Sequence, residues 1–337
     1  MSKESLEWLN TMVLIGFTTK RGNAWHFSKA HQRDLSNHYP HAIPVRDVEQ
    51  RLFDWEPVKV PVEYTVAGKR YVSRTRVIIA RSDNGLDLGT FKSGYEIHAY
   101  REWLLGVTSN IIGDTLMIGS AGLLRNGAQA WVTIELPESV KTPQGVTFRP
   151  NLTAVTSLDG SLSTTYKPMV TLPVCDNTLR AGLSERHGQI YKVKHSKYSQ
   201  AKINDAREAL GLMVDTVDDF SAEVKALCET TVTDRQWAAF LDAHLPIPTD
   251  NVKSNAATIA ERKREELGAL WLNSPMVSPW KGTAFGVLQA VNTHAHHILT
   301  VRGKDRAQRN AEMAISGAVD DLDATTLDTL SKVLISA

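Results

Sequence analysis

Two stretches of this chain concentrate positive charge with no acid among them. One carries Lys69, Arg70, Arg74, Arg76 and Arg81 between Glu63 and Asp83, and the other carries Arg186, Lys192, Lys194, Lys197 and Lys202 between Glu185 and Asp205. Tyr71, Tyr191 and Tyr198 are interleaved with these cations. Cations that neutralise phosphates beside rings that stack on bases are the chemistry of single-stranded nucleic acid binding. Either stretch alone reads rather as a solvated sheet face, and only the two together, set against an acidic other half, bring a nucleic-acid partner level with that reading. Within the first, plain alternation puts Lys69, Tyr71, Ser73 and Thr75 on one face and Arg70, Arg74 and Arg76 on the other.

Other chemistry has little footing. His294, His296 and His297 share one expected helix, where 294 and 297 would lie on one face and could hold a metal. No cysteine or carboxylate accompanies them in that helix, so a packing role is expected and no metal. Neither GxxxxGK[ST] nor GxGxxG is present, and HExxH and GxSxG are missing as well. Glu135, Glu138 and Lys141 lack the E-x-K spacing of the common metal nucleases. The expectation is therefore a protein that is not an enzyme and uses no cofactor. Cys175 and Cys228 make neither a disulfide framework nor a CxxC pair, which fits a reducing cytoplasm.

The chain has 337 residues, with 38 Lys+Arg against 37 Asp+Glu and a net charge of +1. That sum excludes a histone-like polycation but hides an asymmetry. Residues 1–200 hold 24 basic and 18 acidic groups and residues 201–337 hold 14 and 19, so the two parts carry +6 and −5. An anion-seeking body joined to an acidic region is implied. The 42% hydrophobic content argues for a folded chain. The uncharged run Gly282 to Val301 has bilayer length, but Gln289, Asn292, Thr293 and three histidines make it a buried helix instead. The stretch Met12 to Phe17 has no small-residue cleavage site after it, so no signal peptide is expected.

The elements that would position these groups follow from pattern. Val60, Val62, Tyr64 and Val66 alternate, Ala67-Gly68-Lys69 makes a turn, and Tyr71 to Ala80 is rich in β-branched residues, which predicts a hairpin followed by a turn at Asp83-Asn84-Gly85. A helix is predicted over Tyr95–Thr108. Strands follow at Thr115–Leu124 and Ala130–Leu136 around Arg125-Asn126-Gly127, then at Asn151–Leu158 and Met169–Val174. Asp176 or Asn177 would cap a helix through Leu179–Leu183. The fold class is α+β: an antiparallel β-sheet core in α-β-β-β-α order over about residues 95–185, within a basic body spanning 1–200. Residues 201–337 read as helical, opening with a heptad seam from Ile203 to Leu227 that docks on the chain's own body or pairs with a second subunit.

Several segments together resemble the phage/plasmid-like proteins that carry domain of unknown function 932. These are Trp25-His26, Arg125-Asn126-Gly127 with Ala130-Trp131-Val132, Thr156 to Ser161, Val174-Cys175-Asp176-Asn177-Thr178-Leu179, and Gly282 to Gly286 with Gln289-Ala290-Val291. The resemblance implies a phage, prophage or plasmid origin and no established activity. The strand order is also similar, in topology alone, to the single-strand annealing recombinases grouped around Redβ, RecT, Erf and the eukaryotic Rad annealing protein. That likeness implies ATP-independent annealing by rings or filaments, with DNA in a positive groove between a hairpin and a helix.

The leading expectation is thus a cytoplasmic, ATP-independent binder and annealer of single-stranded DNA that forms a homo-oligomer and has no membrane partner. Its DNA-contacting residues would be Lys69, Arg70, Arg74, Arg76, Arg125, Lys167, Arg180, Lys192, Lys194, Lys197 and Tyr198. The alternative is a phage structural or regulatory protein acting through protein contacts, with the heptad helix and the acidic C-terminal part as its working surfaces.

Overall fold

The structure is a computed structural model describing residues 3–24, 26–108, 117–135, 139–172, 177–180, 191–196, 199, 213–248, 255–301 and 306–336. It is α+β, with antiparallel sheets first and a helical C-terminal region after them. The chain divides into two compact units. The first comprises Met1–Glu138, Asn151–Pro168 and Gln189–Val214, and the second comprises Ser139–Pro150, Met169–Gly188 and Asp215–Ala337.

In the first unit, helix α1 (Lys3–Thr11) leads into strand β1 (Val13–Ile15), and short helices α2 (Thr18–Arg21) and α3 (Val45–Leu52) precede the hairpin. That hairpin pairs β2 (Pro57–Val66) with β3 (Lys69–Arg81). Ala67 and Gly68 close it at φ 47° and 76°, a left-handed pair whose twist matches the flanking strands. The expected turn at Asp83-Asn84-Gly85 brings the chain back as β4 (Asp87–Lys92), completing a sheet in the order β2-β3-β4.

The larger sheet has β1, β5 (Met117–Leu124), β6 (Gln129–Glu135), β8 (Thr147–Ser157), β9 (Thr164–Leu172) and β10 (Asn177–Arg180) side by side. Strand β7 (Val140–Lys141) adds to β8, and β11 (Tyr191–Val193) pairs β9 at Thr164–Tyr166. Arg125, Asn126 and Gly127 join β5 to β6 with φ of 50°, 58° and 95°. Gly127 is held close, because a Cβ there would come within 2.5 Å of Arg81. Trp55, Ile79, Tyr100, Leu104, Ile118, Val132, Ala154 and Tyr166 belong to the core these elements enclose.

Two sequence expectations change, and the heptad seam takes one of its two readings where it is described. Asn177–Arg180 is a strand on Met169–Leu172 and does not open a helix, since pairing with a sheet edge overrides a local capping signal. Residues 181–183 lie outside the described residues. The segment Tyr95–Thr108 becomes helical only from Tyr100, and Arg101–Gly106 form a π-helical turn. Of the heptad seam, Ile203, Ala206 and Leu210 lie outside the described residues. Its continuation α4 (Met213–Glu229) buries Phe220 and Val224 against Val146, Phe148, Phe285 and Leu288 of its own unit.

The second unit continues with α5 (Asp234–His244), α6 (Asn255–Asn273), α7 (Ala284–Thr293), α8 (Arg306–Ser316) and α9 (Ala318–Ser336). Thr233 and Gln236 form the capping box that starts α5. Trp237, Phe240, Leu267 and Trp271 fill the core between these helices. Among the described residues, no helix is long and apolar enough to cross a membrane.

Candidate functional site

The β3 strand carries most of the first basic stretch, and its alternation is broken. Glu63 lies opposite Val72 and Pro61 opposite Val77, so four residues of β3 face one of β2. Ser73 Oγ accepts the N–H groups of Thr75 and Arg76 at 3.3 and 3.1 Å, pairing two donors that the bulge would otherwise strand. Three extra residues is an odd number, which reverses the faces beyond the bulge. Arg76 therefore shares the face of Lys69, Tyr71 and Tyr64, while Arg70 lies on the opposite one. This corrects the grouping of Arg70 with Arg76 that plain alternation predicts.

The same inversion sets Arg76 directly across from Lys92 on β4. Like charges facing each other across a ladder are unfavourable, and among the described residues neither makes an ion pair. Both line an open cleft of about 840 Å³, together with Thr75, Phe91, Ser93, Gly94, Tyr95 and His195. Ser93 N–H donates to Thr75 O at 2.9 Å, which ties the end of β4 to the bulge.

The wall of the cleft begins a column of five rings. Phe91 stacks on Tyr95 (centroids 3.9 Å), Tyr95 on His195 (5.0 Å), His195 on His98 (3.9 Å) and His98 on Trp103 (3.7 Å), with interplanar angles of 22°, 18°, 18° and 10°. Offset aromatic stacking of this kind adds about 0.5–1.5 kcal/mol per pair beyond burial. Gly89 and Gly160 leave room for Phe91, since a Cβ on either would come within 3 Å of its ring.

A hydrogen-bond chain runs alongside the rings. The Glu96 carbonyl can only accept, so His195 Nδ1–H donates to it (3.1 Å) and to Tyr95 Oη (2.7 Å). His195 Nε2 is then an acceptor and takes the Thr156 hydroxyl at 3.2 Å. Thr156 accepts from Thr164 at 2.7 Å, and Thr164 accepts from His98 Nδ1–H at 2.6 Å. One carbonyl thus fixes both tautomers, and His98 Nε2 remains buried with no hydrogen-bond partner. Burial, reinforced by His195, pushes the His98 pKa down to about 3, and burial pushes His195 down to about 4. Both rings are neutral at pH 7. Burial also raises the Tyr95 phenol well above its usual value.

The remaining expected DNA-binding residues are scattered. Lys69, Arg70 and Arg74 are exposed on the hairpin, and Lys192 and Lys194 are exposed at β11. Arg125 pairs with Asp159 at 3.5 Å. Lys167 is only 3% exposed, which removes it from any surface a strand could follow. Arg180 lies on β10, and its side chain, like Lys197 and Tyr198, is outside the described residues. Arg81 is committed to structure: it forks onto Asp83, donates to Asn126 O at 2.9 Å and lies 4.2 Å over the Trp55 ring.

In the second unit, His294 Nε2 meets Glu266 Oε2 at 2.8 Å. Residues His294–Ile298 form a π-helical turn, so His294 is buried while His297 is exposed, and the two do not share the face that a regular helix would give them. Among the described residues, no group of three His, Cys, Asp or Glu side chains is placed to hold a metal.

Compared with known families, residues 87–315 match the one described as domain of unknown function (DUF932). The chain belongs to this family. No curated protein and no solved structure matches it. The family's span contains β4 and all five rings of the column, whereas the hairpin up to Arg81 precedes it.

Proposed function

We propose that this DUF932 protein binds single-stranded DNA without nucleotide hydrolysis and anneals complementary strands, working as a homo-oligomer in phage or prophage recombination. The carrying observation is the cleft. Arg76 and Lys92 face each other without a counter-charge at a wall made of stacked Phe91 and Tyr95. Two uncompensated cations beside π-faces suit a phosphate followed by its base, and such stacking contributes about 1–3 kcal/mol per base. Lys192 and Lys194 would extend the interaction along the nucleic-acid backbone, and the missing phosphate-binding loop is in keeping with ATP-independent action.

The test is a fluorescence-anisotropy titration of a labelled oligothymidine with the full chain at several salt concentrations. Neutralising three to five phosphates predicts a log–log slope of roughly −2 to −3.5. Lys92→Ala should make the slope shallower by about 0.7, and Phe91→Ala should weaken binding at every salt concentration. No binding at low salt would refute the proposal. Binding without faster annealing of complementary oligonucleotides would leave only a coating protein, and micrographs of the complex should show rings or filaments.

A further inference from the structure

The β2–β3 hairpin poses a separate question. From Val58 to Arg76 no residue on either strand is buried, so both faces of this ribbon are open to solvent. A two-stranded ribbon without a packed face is only marginally stable alone, and the Tyr64–Tyr71 cross-strand stack (5.7 Å) supplies part of what holds it. Its charge is one-sided: Lys59, Lys69, Arg70, Arg74 and Arg76 against Glu63. Among the described residues none of the five cations makes an ion pair. The bulge distributes them, with Lys69 and Arg76 on one face and Lys59 and Arg70 on the other.

We infer that this ribbon enters the major groove of duplex DNA and so holds the product of annealing. The inference rests on the nucleic-acid reading above, but uses the hairpin beyond the cleft, with Arg76 at their junction, and a different form of the ligand. A single strand can follow only one face of a ribbon, which would leave half of these cations unused. A groove turns one face of a ribbon to the base edges and sets a phosphate wall beside each strand, within reach of long Lys and Arg side chains from either face. The dimensions agree. Ten residues of β2 span about 33 Å, close to one turn of B-DNA, and a two-stranded ribbon fits a groove about 12 Å wide but not one of about 6 Å. Duplex RNA, whose major groove is deep and narrow, is excluded by the same measure.

The experiment compares the full chain with Lys69→Ala/Arg70→Ala/Arg74→Ala, all exposed positions, on a blunt duplex and on oligothymidine, after circular dichroism has confirmed the fold. With three phosphates left unneutralised, the duplex log–log salt slope should become shallower by about 2.7, which lessens the fall in affinity between 50 and 200 mM salt by about 40-fold. The slope on oligothymidine, assigned above to Arg76, Lys92, Lys192 and Lys194, should stay as it was, because Lys69, Arg70 and Arg74 leave the single-strand contacts expected of them for the duplex. Methylating guanine N7 should weaken duplex binding by the unsubstituted chain, and duplex RNA should compete poorly. An unchanged duplex slope, an equal loss on both ligands or indifference to N7 methylation would each overturn the inference. Binding of single strands with none of duplex would overturn it alone, and binding of neither would overturn the annealing proposal as well.

Discussion

Two histidine sites divide this molecule instructively. In the first unit His98 and His195 lie in a ring column with hydroxyls and a carbonyl as partners and no carboxylate in the chain of hydrogen bonds. In the second, His294 lies against the Glu266 carboxylate. Burial lowers all three pKa values, but Glu266 works against burial at His294, and no acid does so at the other two. A histidine without an acid serves as a flat ring with two directional nitrogens. A histidine with one donates a hydrogen bond to a carboxylate that offsets part of the burial penalty on its protonated form.

The largest expected effect tests the packing side of that contrast. Trp103 is fully buried at the end of the column, so Trp103→Ala should cost about 3–5 kcal/mol, measured by urea unfolding. Next comes proton linkage. The folded rings are neutral down to about 4 for His195 and about 3 for His98. The unfolded chain takes up protons near 6.5, so the unfolded state binds more protons between these values. Stability is complete above pH 6.5 and falls as pH drops, by about 1.4 kcal/mol per pH unit for each ring. His195→Gln should remove one proton's worth of that slope between pH 6 and 4.5. Thr164→Val keeps the shape but leaves His98 Nδ1–H without its acceptor and the Thr156 oxygen without its donor, at about 1–3 kcal/mol. Smallest is Glu266→Gln, at about 0–1 kcal/mol because Glu266 is partly exposed, with the His294 pKa falling further in an NMR titration. The contrast fails if Glu266→Gln costs more than Thr164→Val.

These two sites also mark what can be read from the sequence. The His294 cluster announces itself because its members are neighbours in the chain, yet the π-turn alters the face that a regular helix would have them share. The column's rings come from positions 91, 95, 98, 103 and 195. No periodicity links His195 to the rest, and only β11 pairing onto β9 brings it there. The hairpin is legible from alternation and from its Ala67-Gly68 turn, which are local properties. Lys167 escapes such reading for the opposite reason, since burial depends on how the sheet is covered and a single strand's pattern does not show it. The helical reading of residues 201–337 holds for α5 to α9, although the helix expected from Gly282 to Val301 runs only from Ala284 to the π-turn that ends at Ile298. By contrast, β10 loses its helix to a sheet edge.

The bulge in β3 has an evolutionary consequence. The face that carries Arg76 is fixed by the pairing of Val77 with Pro61, and the odd excess of residues between Val72 and Val77 only decides whether alternation along β3 reads that face correctly. Gaining or losing one residue inside the bulge would leave Arg70 and Arg76 on opposite faces, while changing the alternation read along β3 alone. For this ribbon, a codon inserted or deleted in the bulge is absorbed there, so the charge on each face follows the pairing with β2 and not the spacing along β3.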